Sequence, residues 1–257
     1  MIKKNVALVL GGTGGIGTAI TRLFAKQGIK VYATYYRDVQ EAKQLQDALQ
    51  GCTLIQCDIQ QEEKVQVLVR RILEQEGQID ILINTVTSPL KLKLFENISQ
   101  DEFTDDINTI LIGAANVCRQ VVPLMKKNKG GVIVSLGTIG TIDFPSRMSS
   151  YISAKAGLLG LTRCLATECA AYNLRIVSIT PSFVETPLIK AFPEKLLEIE
   201  REKQPEKQFL QPEDIAMLTF SIINDSAKYP NGTEIVLRSK NDLKRHAADK
   251  EYGYTSL

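Results

Sequence analysis

The chain of 257 residues is poor in the groups that hold metals. It has one histidine, His246, in a polar stretch near the carboxyl end, and five cysteines, Cys52, Cys57, Cys118, Cys164 and Cys169, with no C-x-x-C spacing. A zinc site needs several such ligands converging, so no metal is expected. An odd number of scattered cysteines reads as reduced, mostly buried thiols of a cytoplasmic protein. Charge of one sign is also scarce, since 31 Lys and Arg face 29 Asp and Glu for a formal net charge of +2. That balance gives no reason to expect a nucleic acid partner. No apolar run approaches the roughly eighteen residues of a membrane span. The apolar run that follows Met1-Ile2-Lys3-Lys4-Asn5 is too short for a secretory leader. Internal repeats, low-complexity segments and an interdomain linker are absent as well.

What is present fits a large α/β domain or two small ones, with 44% hydrophobic and 23% charged residues. Val6-Ala7-Leu8-Val9-Leu10 is a compact apolar run ending in Gly11-Gly12-Thr13-Gly14-Gly15-Ile16-Gly17, after which Ile20, Leu23 and Phe24 recur at helical spacing. Strand, glycine turn and helix in this order suit a pyrophosphate, because glycine lets the backbone come close and the helix amino terminus offers unpaired N–H groups. A second strand, Val31 to Tyr36, closes on Tyr35-Tyr36-Arg37 with no carboxylate at its end. Arg37 there suits a 2′-phosphate and favours NADP, while Asp38 keeps NAD open.

Strands are next expected at Thr53–Cys57, Ile79–Asn84, Val132–Leu136, Arg175–Thr180 and Thr233–Leu237, with helices between them. Alternation of this kind implies parallel βαβ units with right-handed crossovers. Asp58 is placed either to meet an adenine amino group or to cap the helix beginning near Gln61. A long helical segment runs from Ser99 to about Lys127, with Ser99 and Glu102 as a capping box and Asn108, a poor helix-interior residue, near its middle. The helix after Gly137-Thr138-Ile139-Gly140 carries Tyr151 and Lys155 four apart on one face. A cation near a phenol favours the phenolate and lowers its pKa. Residues 188–210 read as a mobile helical insert and 240–257 as a polar tail.

Taken together, residues 3 to 237 resemble the classical short-chain dehydrogenase/reductase family, and within it the β-ketoacyl reductases. Gly11, Gly15 and Gly17 match its Gly-x-x-x-Gly-x-Gly loop, and Tyr151 and Lys155 its Tyr-x-x-x-Lys pair. The resemblance implies one doubly wound Rossmann-type domain over residues 1–239, with a parallel sheet of about seven strands flanked by helices and a substrate lid at 188–210. It implies catalytic roles for Asn108, Thr138, Tyr151 and Lys155. Tyr151 is the general acid, Lys155 lowers its pKa and binds the nicotinamide ribose, and Asn108 holds a water. It further implies NADP(H), with NAD(H) as the other option, bound by Gly11, Thr13, Gly14, Gly15, Ile16, Gly17, Arg37, Asp58, Ile59, Asn84, Tyr151, Lys155, Pro181, Val184 and Thr186. A small-molecule or acyl-thioester substrate and a homotetramer or homodimer complete the picture.

Departures from the family pattern surround the site. Thr138 stands where the family has Ser, Leu10 where it has Thr, and Gly14 where many NADP enzymes carry a basic residue. Asn84-Thr85-Val86-Thr87 replaces Asn-Asn-Ala-Gly, Ser182 follows Pro181 in place of Gly, and Val236-Leu237-Arg238-Ser239 lacks the terminal Asp-Gly-Gly. The expected activity is NADPH-dependent reduction of a carbonyl, such as that of a β-keto thioester or related specialised metabolite. A redox-neutral lyase or isomerase, and a nucleotide-binding protein with reduced redox activity, stand as alternatives on the same scaffold.

Overall fold

A computed structural model describes residues 5–248. Seven parallel strands form one sheet in the order β3-β2-β1-β4-β5-β6-β7. In chain order they are β1 (Val6–Leu10), β2 (Lys30–Tyr35), β3 (Cys52–Gln56), β4 (Ile81–Asn84), β5 (Gly131–Leu136), β6 (Leu174–Pro181) and β7 (Glu234–Leu237). The helices are α1 (Gly15–Lys26), α2 (Val39–Ala48), α3 (Glu62–Glu76), α4 (Gln100–Ile107), α5 (Gly113–Asn128), α6 (Gly140–Asp143), α7 (Ser149–Cys169), α8 (Glu194–Glu202), α9 (Pro212–Asn224) and α10 (Lys240–Ala248). The family-type architecture expected from the alternation is thus present, with every strand within two residues of its expected bounds.

β1 explains why the sheet is covered on both sides. All five of its residues are buried, and they alternate between two cores. Ala7 and Val9 join the cluster under α1 and α9, while Val6, Leu8 and Leu10 join the one that includes residues of α3 and α5. A continuous apolar strand requires exactly such a sandwich, since each buried branched side chain stabilises the fold by about 1.5–3 kcal/mol.

The strand order reverses direction between β1 and β4, which opens a crevice at the carboxyl ends of these strands. Leu10 pairs in register with Asn84, and Asn84 with Ser135, so the glycine turn and the segments after β4 and β5 leave the sheet side by side.

α4 opens with the expected capping box, in which Ser99 Oγ accepts from Glu102 N and the Glu102 carboxylate accepts from Ser99 N. A π-helical turn, Asn108–Ile112, joins α4 to α5 without a break. One window within the continuous Gln100–Asn128 helix is apolar enough by length and composition to cross a membrane, a test that the core helix of a globular protein also passes. Its apolar side packs on α3 and α7. Of residues 240–257, expected as a polar tail, 249–257 lie outside the described residues and Lys240–Ala248 form a helix. Asp242 Oδ2 accepts from the backbone N–H groups of Arg238 and Ser239 at its start.

Candidate active site

The glycine turn is closed by backbone contacts that side chains would break. Gly11 has φ +74°, a left-handed conformation that glycine adopts freely. Its carbonyl oxygen accepts from Gly14 N at 3.0 Å and occupies the space that a Cβ on Gly17 would need. A Cβ on Gly15 would come within 2.7 Å of Thr186 Cγ2, so the segment after β6 lies directly against the turn. At the start of α1, Gly14 offers no capping side chain and the first turn carries no acid. The N–H groups there are open to an anion. Beside it, Asn84 is buried. Its Oδ1 accepts from Val86 N at 3.1 Å and its Nδ2 has no partner. A glycine cradle and an orphaned donor at a strand switch point fit the pyrophosphate and sugar of a dinucleotide.

The other cofactor candidates lie along the same edge. Arg37 stacks over the Tyr36 ring at 4.8 Å. Asp58 makes a local turn, with one carboxylate oxygen accepting from Gln60 N at 3.1 Å and the other from Gln61 Nε2 at 2.9 Å. The cap of α3 itself is Gln61. Ile59 is buried in the core, and its carbonyl accepts from Asn116 Nδ2 at 3.1 Å. Ile16, Pro181, Val184 and Thr186 line the central cavity. Thr186 Oγ1 donates to Val184 O at 3.2 Å. Thr13 is half-buried in the turn.

That cavity has a volume of about 840 Å³, and Tyr151 and Lys155 both contribute to its wall. The hydroxyls of Thr87 and Thr138 stand beside the phenol of Tyr151 and act on its pKa, while Thr87 Oγ1 donates to Ser88 O at 3.3 Å and Thr138 Oγ1 accepts from Gly140 N at 3.3 Å. Lys155 Nζ donates to Leu136 O at 2.8 Å and to Val86 O at 3.2 Å. The lysine is 2% exposed, and burial lowers its pKa to about 7.

One expectation requires correction. Lys155 was expected to depress the Tyr151 pKa, yet the pKa is raised. Burial is the largest cause and the Asp106 carboxylate adds to it, against an opposing pull from the Thr87 and Thr138 hydrogen bonds. The physical reason is that the lysine amine is engaged by two carbonyls and itself disfavours charge in this buried place. The helix face that packs with Tyr151, Ala154 and Leu158 includes Ile107, Ile110 and Ala114, and Ile110 is fully buried. Asn108, half-buried, opens the π-helical turn of the same helix, and its carbonyl oxygen accepts from Gly113 N.

Three features were not singled out from sequence. Thr87 appeared only as a deviation from glycine, although its place just past a strand end at the switch point signals a site residue. Asp106 and Ser150 form a buried pair next to Tyr151, with Ser150 Oγ donating to Asp106 Oδ2 at 2.6 Å and Oδ1 left without a partner. Asp106 precedes Ile110 by four residues, a spacing that was legible.

The fold and site define a dinucleotide-binding α/β protein with a tyrosine–lysine centre. A family model described as enoyl-(acyl carrier protein) reductase matches residues 11–238. The chain is 29% identical over 240 residues to the 3-oxoacyl-[acyl-carrier-protein] reductase of Thermotoga maritima, covering 91% of this chain and 96% of that protein. It is 31% identical over 246 residues to the oxidoreductase UcpA of Salmonella typhimurium, covering 91% and 92%. A solved 3-ketoacyl-(acyl-carrier-protein) reductase from Brucella melitensis superposes with a TM-score of 0.85 over 95% of this chain and all of that one, at 24% identity, which speaks to the fold alone. The chain belongs to the short-chain dehydrogenase/reductase family of NAD(P)-dependent oxidoreductases.

Proposed function

We propose that the protein is an NADPH-dependent carbonyl reductase whose substrate is a β-keto thioester or a related ketone, with Tyr151 delivering the proton to the carbonyl oxygen. The observation that carries this reading is the Tyr151 phenol in the cavity wall, flanked by the hydroxyls of Thr87 and Thr138. A phenol with a raised pKa is protonated at neutral pH, the form that an acid needs. Thr138 and Thr87 flank its oxygen, and the substrate carbonyl would approach the same hydroxyls. Lys155 fixes the two backbone segments that carry them. The bound nicotinamide supplies the hydride.

The glycine turn, Asn84 and the start of α1 would hold the dinucleotide, with Arg37 pairing with the 2′-phosphate of NADP. Oxoacyl thioester reduction is named for the Thermotoga relative, and the large apolar cavity here supports a related substrate. The same resemblance supports a cytoplasmic homotetramer or homodimer.

The test is NADPH and NADH consumption across ketones and ketoacyl thioesters, with calorimetric titration of both cofactors. Turnover that disappears in Tyr151→Phe while cofactor binding persists is expected. Full activity in that variant would remove Tyr151 as the acid, and absence of turnover across the panel would remove the reductase reading.

A further inference from the structure

The walls of the central cavity are mainly apolar, built in part by Leu90, Leu92, Phe183, Leu188 and Phe192. Four charged residues contribute to its lining: Asp143, Arg147, Lys155 and Glu200. Three are neutralised or held within the protein. Asp143 forms a two-point bond with Arg238, at 3.0 Å from each carboxylate oxygen. Lys155 donates to two carbonyls, and Glu200 accepts from Lys203 at 2.6 Å. Arg147 differs. Its side chain is exposed and, among the described residues, has no ion-pair or hydrogen-bond partner. The neighbouring cations Lys91 and Lys93 are engaged by Asp105 and Glu102.

Its backbone is fixed by a contact of its own. Arg147 has φ +66°, in the left-handed region that glycine favours, and its carbonyl accepts from Lys93 N at 3.1 Å. A bulky residue held there costs on the order of 1 kcal/mol or more, as it does at Phe144 in the same loop. Arg147 also stands two residues before α7, whose cap residue Met148 supplies no capping side chain. The positive end of that helix adds to the guanidinium.

We infer that Arg147 selects substrates with an anionic end, so that the cavity takes a ketone with an apolar body and a carboxylate or phosphate at the rim. A planar guanidinium suits either group by paired hydrogen bonds. The substrate class rests on the carbonyl-reductase reading, whereas the anion preference is a matter of binding and stands or falls apart from it.

The experiment uses the whole protein saturated with NADP⁺ and two matched pairs of probes, measured by calorimetry. One pair is 5-oxohexanoate and its methyl ester; the other is acetoacetyl-4′-phosphopantetheine and acetoacetyl-pantetheine. In at least one pair the anionic member should bind about tenfold tighter or more, and the pair that discriminates identifies the anion. In Arg147→Gln and in Arg147→Gly, which suits the backbone conformation and secures folding, the ratio should fall to near one. A ratio near one in the unaltered protein for both pairs, or a ratio that survives both substitutions, overturns the inference. In a parallel assay with NADPH as the hydride source, turnover of the neutral probes without any anion preference would leave the reductase reading and remove the role of Arg147. Anion preference without turnover would do the reverse.

Discussion

Lys155 Nζ lies 2.8 Å from the carbonyl oxygen of Leu136, and the same amine reaches Val86 O at 3.2 Å. Each acceptor lies just before a threonine that meets the Tyr151 phenol, Thr138 two residues after Leu136 and Thr87 directly after Val86. One buried amine thus fixes the ends of β4 and β5 and, through them, the hydroxyls of the site. In this structure its part is to position those segments.

That placement has a signature in stability. The folded-state pKa of Lys155 is depressed to about 7, below the value of about 10.4 for a free lysine. Between these values the unfolded chain binds more protons, so stability should rise with pH across roughly 7 to 10 and be lost as pH falls through 7. Urea midpoints measured from pH 6.5 to 9.5 should show this rise in the unaltered protein and a flatter profile in Lys155→Met. Parallel profiles would mean that the lysine is not held as described.

Thr87→Val keeps the shape of the side chain and removes its hydroxyl. Loss of a hydroxyl beside a reacting group should lower kcat by about 10- to 100-fold, and Thr87→Ser should stay within a few-fold of the unaltered enzyme. Because the Thr87 hydroxyl lowers the Tyr151 pKa, the valine variant should also carry its basic pH limb to higher pH. Unchanged kcat and limb in the valine variant would leave Thr87 as mere lining.

Gly17→Ala puts a Cβ onto the carbonyl oxygen of Gly11. The turn must open, with an expected loss of at least about 2 kcal/mol in stability and a clear weakening of cofactor binding by calorimetry. Gly160→Ala, on α7, is the contrast. A Cβ there meets open space, and the alanine should stabilise the helix by about 0.5–1 kcal/mol.

Ser150→Ala removes the donor to Asp106 and leaves neither oxygen of a buried carboxylate with a side-chain partner. The expected loss is about 1–3 kcal/mol by chemical denaturation. Asp106→Asn removes the charge that helps raise the Tyr151 pKa, so the basic limb should move to lower pH. A limb that stays in place would separate the Asp106–Ser150 pair from the proton donor.

The sheet was legible because each strand is a short apolar run and each connection a helix of ordinary length, as β1, the glycine turn and α1 illustrate. Tyr151 and Lys155 were legible from a four-residue spacing. At Asn108 a sequence shows that an asparagine is unusual inside a helix and not that the helix passes there through a π-helical turn, nor which face it turns inward; Ile107, Ile110 and Ala114 decide that. The pKa of Tyr151 was misjudged for a similar reason. Proximity of a lysine is readable, but its engagement by Val86 O and Leu136 O depends on how two strand ends meet. Thr87 required the same knowledge.

The bond between Arg238 and Asp143 spans 95 positions of sequence and joins the residue just after β7 to α6, the short helix beyond Thr138. The residue that follows β7 therefore acts as a brace for one jamb of the cavity. Trimming the chain back to Leu237, far from any reacting atom, would free the jamb and loosen the doorway through which a substrate enters.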